Sequence, residues 1–138
     1  MGRPVKSEEL QKQINAVVGK HVYGNMYGIS ERYMTDIDFL TKLVIDSARA
    51  GNMHIIELIT KKFQKYNEFE GGVSVIALIQ ESHIALHTWP ESSYLTIDIY
   101  SCGSRSDPDI ACRLMLDRIK PKKHRFYTAD RGSATVRE

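Results

Sequence analysis

Cysteine is nearly absent: Cys102 and Cys112 are the only two in 138 residues. That is too few for a disulfide framework, and it excludes the small secreted scaffolds that such bridges hold together. Charge of one sign is missing too. Nineteen basic residues face seventeen acidic ones, for a net charge of +2, so no global field draws the chain to nucleic acid or to a membrane surface. The longest apolar runs are strand-sized, far short of a membrane span, and the polar N-terminus lacks the apolar core of a signal peptide. No repeat at solenoid spacing and no low-complexity tract occurs. A single domain over 1–138 with an ordinary core, in a cytoplasmic and reduced setting, is expected, with no nucleic-acid or membrane partner.

Hydrophobic periodicity marks the elements. Residues 1–7 read as a polar tail. Leu10, Ile14, Val17 and Val18 recur at helical spacing, and Gly19 is placed to end that helix. His21–Tyr27 alternates like a strand, with Val22 and Met26 on one face and Tyr23 and Tyr27 on the other. Gly24 within it signals a bulge or a close backbone approach. Thr35 with Asp38 resembles a capping box ahead of Ile37, Leu40, Val44 and Ala48 on one helical face. Met53–Phe63 reads as a strand with a lysine-rich, solvated end. Three further strands follow, at Val73–Ile79, Ile84–Trp89 and Tyr94–Tyr100, joined by turns at Glu81-Ser82 and Pro90-Glu91-Ser92-Ser93.

Ser106-Asp107-Pro108-Asp109 opens a last helix to about Ile119, with Ile110, Leu114 and Met115 as its apolar side. His124–Thr128 reads as an edge strand, and the tail from Asp130 is polar. Strands come in runs rather than in strict alternation with helices. The expected class is therefore α+β, a two-layer sandwich of a mainly antiparallel sheet with helices packed on one face.

One stretch does not fit an apolar sheet core: Glu81-Ser82-His83-Ile84-Ala85-Leu86-His87-Thr88-Trp89-Pro90-Glu91. Buried polar groups are costly unless hydrogen-bonded or used in chemistry. His83, Ala85, His87 and Trp89 share strand parity and point to one face. Zinc is a poor reading, because His83 and His87 on a strand lie roughly 13 Å apart, and no metal is expected. A serine-hydrolase triad lacks its glycine-flanked serine elbow. Each residue alone has an ordinary explanation: Ser82 as a turn residue, Trp89 as core, Cys102 and Cys112 as small buried hydrophobes.

Taken together with Asp98 and Ser101-Cys102-Gly103, the stretch resembles the signature of the small prokaryotic S-adenosylmethionine decarboxylases, pyruvoyl enzymes made as self-cleaving proenzymes. The resemblance runs from about Gly19 to Gly132, leaving 1–18 as an N-terminal extension. It implies that the Ser82 hydroxyl attacks the Glu81 carbonyl to form an ester, and that His87 removes the Ser82 α-proton so that the ester eliminates. The products are a β chain of 1–81 and an α chain of 82–138 opening on a covalent pyruvoyl group derived from Ser82. That ketone takes a substrate amine as a Schiff base and accepts the electrons released with CO2. The resemblance further implies Cys102 as proton donor, Ser74 as a residue assisting processing, and Trp89 and Glu91 as lining the pocket for a small-molecule amine. Members pair as homodimers of αβ units with sites near the interface, so that residues can be shared across it.

The family has two substrate classes, S-adenosylmethionine and, in an archaeal branch, arginine. Gly19–Gly28, Asn52-Met53, Gly71–Leu78 and Tyr127-Thr128-Ala129-Asp130-Arg131 look closer to the arginine branch. Adenosylmethionine enzymes tend to carry Phe-x-Pro-x-Gly-Val-Ser-Gly. Here Phe69-Glu70-Gly71-Gly72-Val73-Ser74-Val75 stands in its place, a departure that bears on the aromatic contact to adenine. Glu91 suits either ribose hydroxyls or a guanidinium fork. Arginine to agmatine is the expected reaction. Adenosylmethionine decarboxylation, which yields an aminopropyl donor in polyamine biosynthesis, is the alternative, and a non-processing regulatory homologue is the remoter one.

Overall fold

The computed structural model describes residues 6–132. Its elements run α1 (Ser7–Asn15), β1 (Gly19–Tyr27), α2 (Glu31–Thr35), α3 (Ile37–Ala50), β2 (Ile55–Lys62), β3 (Val73–Ile79), β4 (Ser82–Trp89), β5 (Tyr94–Cys102), α4 (Pro108–Ile119) and β6 (Lys123–Asp130). The six strands form one sheet in the order β2-β3-β4-β5-β1-β6, and every neighbouring pair is antiparallel. This is the expected α+β class, two layers with helices on one face. Among the described residues no helix is long and apolar enough to cross a membrane.

Alternation within the strands decides which face is covered. Val73, Val75, Ala77 and Ile79 of β3, Ile84 and Leu86 of β4, and Leu95, Ile97 and Ile99 of β5 are all buried. They pack under Leu40, Leu43, Val44 and Ala48 of α3 and Ala111, Cys112, Met115 and Ile119 of α4. Burial of each large aliphatic side chain contributes about 1.5–3 kcal/mol. Thr88 is the polar member of this layer. Its hydroxyl donates to the Met34 carbonyl at 2.7 Å and accepts the Val73 N–H at 2.8 Å, which ties α2 to the β3–β4 pair.

Several local expectations shift. The cap of α3 is Asp36, whose carboxylate accepts the Phe39 N–H, whereas the Thr35 hydroxyl donates back to the Glu31 carbonyl. Asp36 wins because a carboxylate on the first free N–H groups is a stronger cap than a hydroxyl one residue earlier. Asp107 caps α4 in the same way, with Pro108 at the first helical position. On α4 the buried side turns from Ile110, which is exposed, to Ala111 and Cys112. α1 stops at Asn15, and none of its residues is buried. Gly24 marks a close approach, not a bulge: the β1 registers run unbroken, and a Cβ there would meet the Arg125 carbonyl oxygen at 2.2 Å. The tail expected at 1–7 lies mostly, and that beyond 132 wholly, outside the described residues, while Asp130 itself still belongs to β6.

Among the described residues no helix covers the second face of the sheet. Ile59, Ile76, Leu78, Trp89, Tyr23 and Tyr127 stand on it at 38–64% exposure. That face also holds the polar residues of the site.

Candidate active site

Two constellations occupy opposite ends of β4. The first surrounds the β3–β4 hairpin. Ile79 pairs with Ser82, so the turn consists of Gln80-Glu81, one residue earlier than the sequence pattern indicates, and the strand begins at Ser82 rather than at Ile84. Ser82 is held at φ 156°, backbone space that L residues seldom occupy and that costs about 1–3 kcal/mol. Pairing of β4 with β5 sets Ser101 opposite Ser82, and the Cys102 N–H donates to the Glu81 carbonyl at 2.9 Å. The Glu81 carboxylate is gripped from the other side. It accepts the His54 backbone N–H at 2.9 Å and meets His54 Nδ1 at 2.8 Å. Burial pushes the Glu81 carboxyl up, but the bonds from His54 outweigh it and hold the group below its ordinary value.

Beside the Glu81–Ser82 peptide bond runs a row of polar groups. Ser82 Oγ is 3.3 Å from His83 Nδ1, His83 Nε2 is 3.3 Å from Asp98 Oδ1, and Asp98 Oδ2 is 3.0 Å from His21 Nε2. Asp98 sits opposite Ala85 on one side and Tyr23 on the other. The small alanine side chain leaves the diagonal open for His83 to reach it. Tyr100 closes this end. Its hydroxyl lies 3.6 Å from the exposed Cys102 Sγ, and Arg131 sits 4.1 Å over its ring. The bond with Cys102, then burial, raises the Tyr100 phenol above its usual range.

The second constellation lies at the far end of β3 and β4. Ser74 faces His87 across the ladder, and Ser74 Oγ is 2.7 Å from His87 Nδ1. Trp89 follows on the same face, its ring 6.1 Å from that of His87. A cavity of about 420 Å³ opens here, lined among others by Phe63, Tyr66, Ser74, His87, Trp89 and Glu91. Gly71 brings the Phe63 segment close: a Cβ at Gly71 would lie 1.7 Å from the Phe63 carbonyl oxygen.

The structure therefore groups Glu81, Ser82 and Cys102 at one end, and Ser74, His87, Trp89 and Glu91 at the other. It does not bring His87 to Ser82, since five steps of extended strand separate them by roughly 17 Å. Sequence reading singled out Ser82 and Cys102 but missed His54, the Asp98–His21 contact and the aromatic pair Phe63 and Tyr66. The pairing of β1 with β5, which no local pattern reports, is what places His21 beside Asp98. A hydroxyl–imidazole–carboxylate row is present without any serine elbow, built on a strand instead. Among the described residues no group of three metal-ligating side chains converges.

A serine hydroxyl beside a peptide carbonyl held by the Cys102 N–H, on an α+β sandwich, is the arrangement this fold presents. The chain belongs to the S-adenosylmethionine decarboxylase family, whose model matches residues 20–132, and it is a decarboxylase. It is 46% identical over 117 residues to the arginine decarboxylase proenzyme of Hyperthermus butylicus, covering 85% of this chain and 80% of that protein. The arginine decarboxylase proenzyme of Ignicoccus hospitalis is 43% identical over 123 residues, 89% of this chain and 83% of that one. Among solved structures, the adenosylmethionine decarboxylase of Aquifex aeolicus superposes with a TM-score of 0.75 at 26% identity, over 88% of this chain and 95% of its own.

Proposed function

We propose that this chain cleaves itself between Glu81 and Ser82 and that the resulting αβ enzyme converts L-arginine to agmatine and CO2. The observation that carries the first half is the grip on the scissile peptide: the Glu81 carbonyl is polarised by the Cys102 N–H while the Ser82 hydroxyl stands next to it. After acyl transfer to Ser82 Oγ, loss of the Ser82 α-proton expels the Glu81 carboxylate. Water then releases ammonia from the dehydrated residue and leaves a pyruvoyl group at the head of residues 82–138, with 1–81 as the β chain. The residues around position 82 fit such a group: Cys102 is exposed beside it, and His54 holds the departing Glu81 in place. Such a group would supply a ketone to hold the substrate amine and an electron sink for the decarboxylation.

The remaining roles belong to side chains of this fold. Cys102 returns a proton to the substrate α-carbon. Trp89, with Phe63 and Tyr66, walls the cavity that lies beside His87, and a second copy turns this cavity toward position 82, where its Glu91 offers a carboxylate to the guanidinium as a forked pair. His87, backed by Ser74, is the base that takes the Ser82 α-proton. Proton transfer needs heavy atoms within about 3 Å, so His87 serves the Ser82 of a second copy. The apolar open face is the surface on which that copy packs, in a homodimer of αβ units. A cytoplasmic setting goes with two unpaired thiols.

Arginine is favoured by the relatives at 43–46% identity, whose names carry that substrate. The aromatic cavity with Glu91 also suits an adenosyl group, the second reading. Mass spectrometry of purified protein, followed by CO2 release from each substrate, tests both steps. A chain split before residue 82 with a blocked α N-terminus, turning over arginine, is expected. An intact chain overturns self-processing and favours a non-processing homologue, and turnover of adenosylmethionine alone overturns arginine.

A further inference from the structure

The family resemblance assigns a base for the second step of self-cleavage but none for the first, in which the Ser82 hydroxyl must lose its proton to become a nucleophile. We propose that Ser82, His83, Asp98 and His21 form a proton relay within a single chain that drives this first step, the shift of the Glu81 acyl group from nitrogen to Ser82 Oγ. The inference rests on the self-processing reading and deepens it.

The geometry meets each requirement of an activated nucleophile. His83 Nδ1 is the ring nitrogen nearest Ser82 Oγ, at 3.3 Å, and it can accept a proton only if Nε2 carries the ring hydrogen. Asp98 imposes that tautomer, because its Oδ1 faces Nε2 at 3.3 Å and a carboxylate can only accept. The other Asp98 oxygen receives His21 Nε2 at 3.0 Å, which fixes the carboxylate between the two rings. His21 is the better enclosed of the pair, with 19% of its side chain exposed against 46% for His83. It is further held by ring contacts with Tyr23 and Tyr100. The Cys102 N–H already sits on the Glu81 carbonyl oxygen, where negative charge develops. Contacts of 3.3 Å are long for hydrogen bonds, as catalytic contacts often are before the reacting atoms close.

The step balances within these groups. Ser82 Oγ forms a bond to the Glu81 carbonyl carbon as its proton passes to His83 Nδ1, and the oxyanion keeps the bond from Cys102. Collapse breaks the Glu81–Ser82 C–N bond, and the imidazolium returns its proton to the departing nitrogen. His83 is catalytic in this step, whereas Asp98 and His21 are positioning residues that act through it. His54 is unsuited to the part, since its Nδ1 is engaged by the Glu81 carboxylate.

The ester is read by hydroxylamine, which cleaves it and not the amide. His87→Ala blocks elimination, so the full chain carrying that change splits at 81/82 only when hydroxylamine is added. Adding His83→Gln to His87→Ala is expected to slow this splitting about 100-fold or more. His83→Ala in the same background is expected to regain rate with free imidazole, which a purely structural role does not allow. Nitrogen NMR shifts of the His83 ring in the uncleaved Ser82→Ala chain should report the Nε2–H tautomer and lose it on Asp98→Asn. Splitting of the double variant as fast as His87→Ala alone overturns the relay and leaves self-processing standing. A wild-type chain that never splits before residue 82 overturns self-processing and the relay with it.

Discussion

If Ser82 depends on the His87 of a second copy, two inactive chains should restore each other. Within one chain the five residue-to-residue steps from 82 to 87, at about 3.3 Å each, put the two Cα atoms roughly 17 Å apart. A proton passes only across a heavy-atom contact of about 3 Å. Side-chain rotation cannot bridge that gap, and the strand cannot bend to do so, because β4 is paired on both sides along its length. Ser82→Ala lacks the nucleophile and His87→Ala lacks the base, so neither splits alone. Co-expressed with distinct tags, they form a mixed dimer in which one of the two sites combines an intact Ser82 with an intact His87. With random pairing, about half of the His87→Ala chains gain such a partner. Denaturing mass spectrometry should therefore show that share of the His87→Ala chain split before residue 82 and none of the Ser82→Ala chain. A co-expressed pair that stays wholly intact, or a His87→Ala chain that processes unaided, refutes the reasoning.

Other outcomes follow from single contacts. Thr88→Val keeps the shape but leaves the buried Val73 N–H without an acceptor, and urea unfolding should show a loss of about 1–3 kcal/mol. Asp46 is held down to about 2 by its bond to Arg118, then by Lys42. Its folded value lies below the unfolded one, so its stabilisation is present above about pH 4 and lost as pH falls through about 2. The difference in melting temperature between the wild type and Asp46→Asn should shrink across that window. Glu91→Gln should lower kcat/KM for arginine roughly 10–100-fold by removing a charge-assisted pair. Iodoacetamide at about pH 8 should label Cys102 before Cys112, whose thiol burial pushes up to about 11.

Strand alternation made much of this site legible before any fold was known. The parity of His83, His87 and Trp89 put them on one face, and the structure agrees, since Ile84, Leu86 and Thr88 take the other. The cap of α3 and the buried side of α4 were legible only to within a residue. There two neighbouring side chains compete for the same role, and packing against α3 and the sheet chooses between them. Helices on one face were expected, but the apolar exposure of the other was not legible: alternating Ile, Leu and Tyr read equally well as a second core face.

The order of residues 81–91 by itself determined the chemistry available at this hairpin, because a hydroxyl next to a peptide carbonyl and two imidazoles on one strand face follow from spacing alone. It also determined the α+β class, since hydrophobic period is a local property. Only the tertiary structure decided which imidazole meets Ser82. Strand rise keeps His87 remote however the chain folds, while the non-local pairing of β1, β5 and β4 gathers His21, Asp98 and His83 into one row. The sequence placed the Ser82 hydroxyl, and the register of distant strands chose its neighbours.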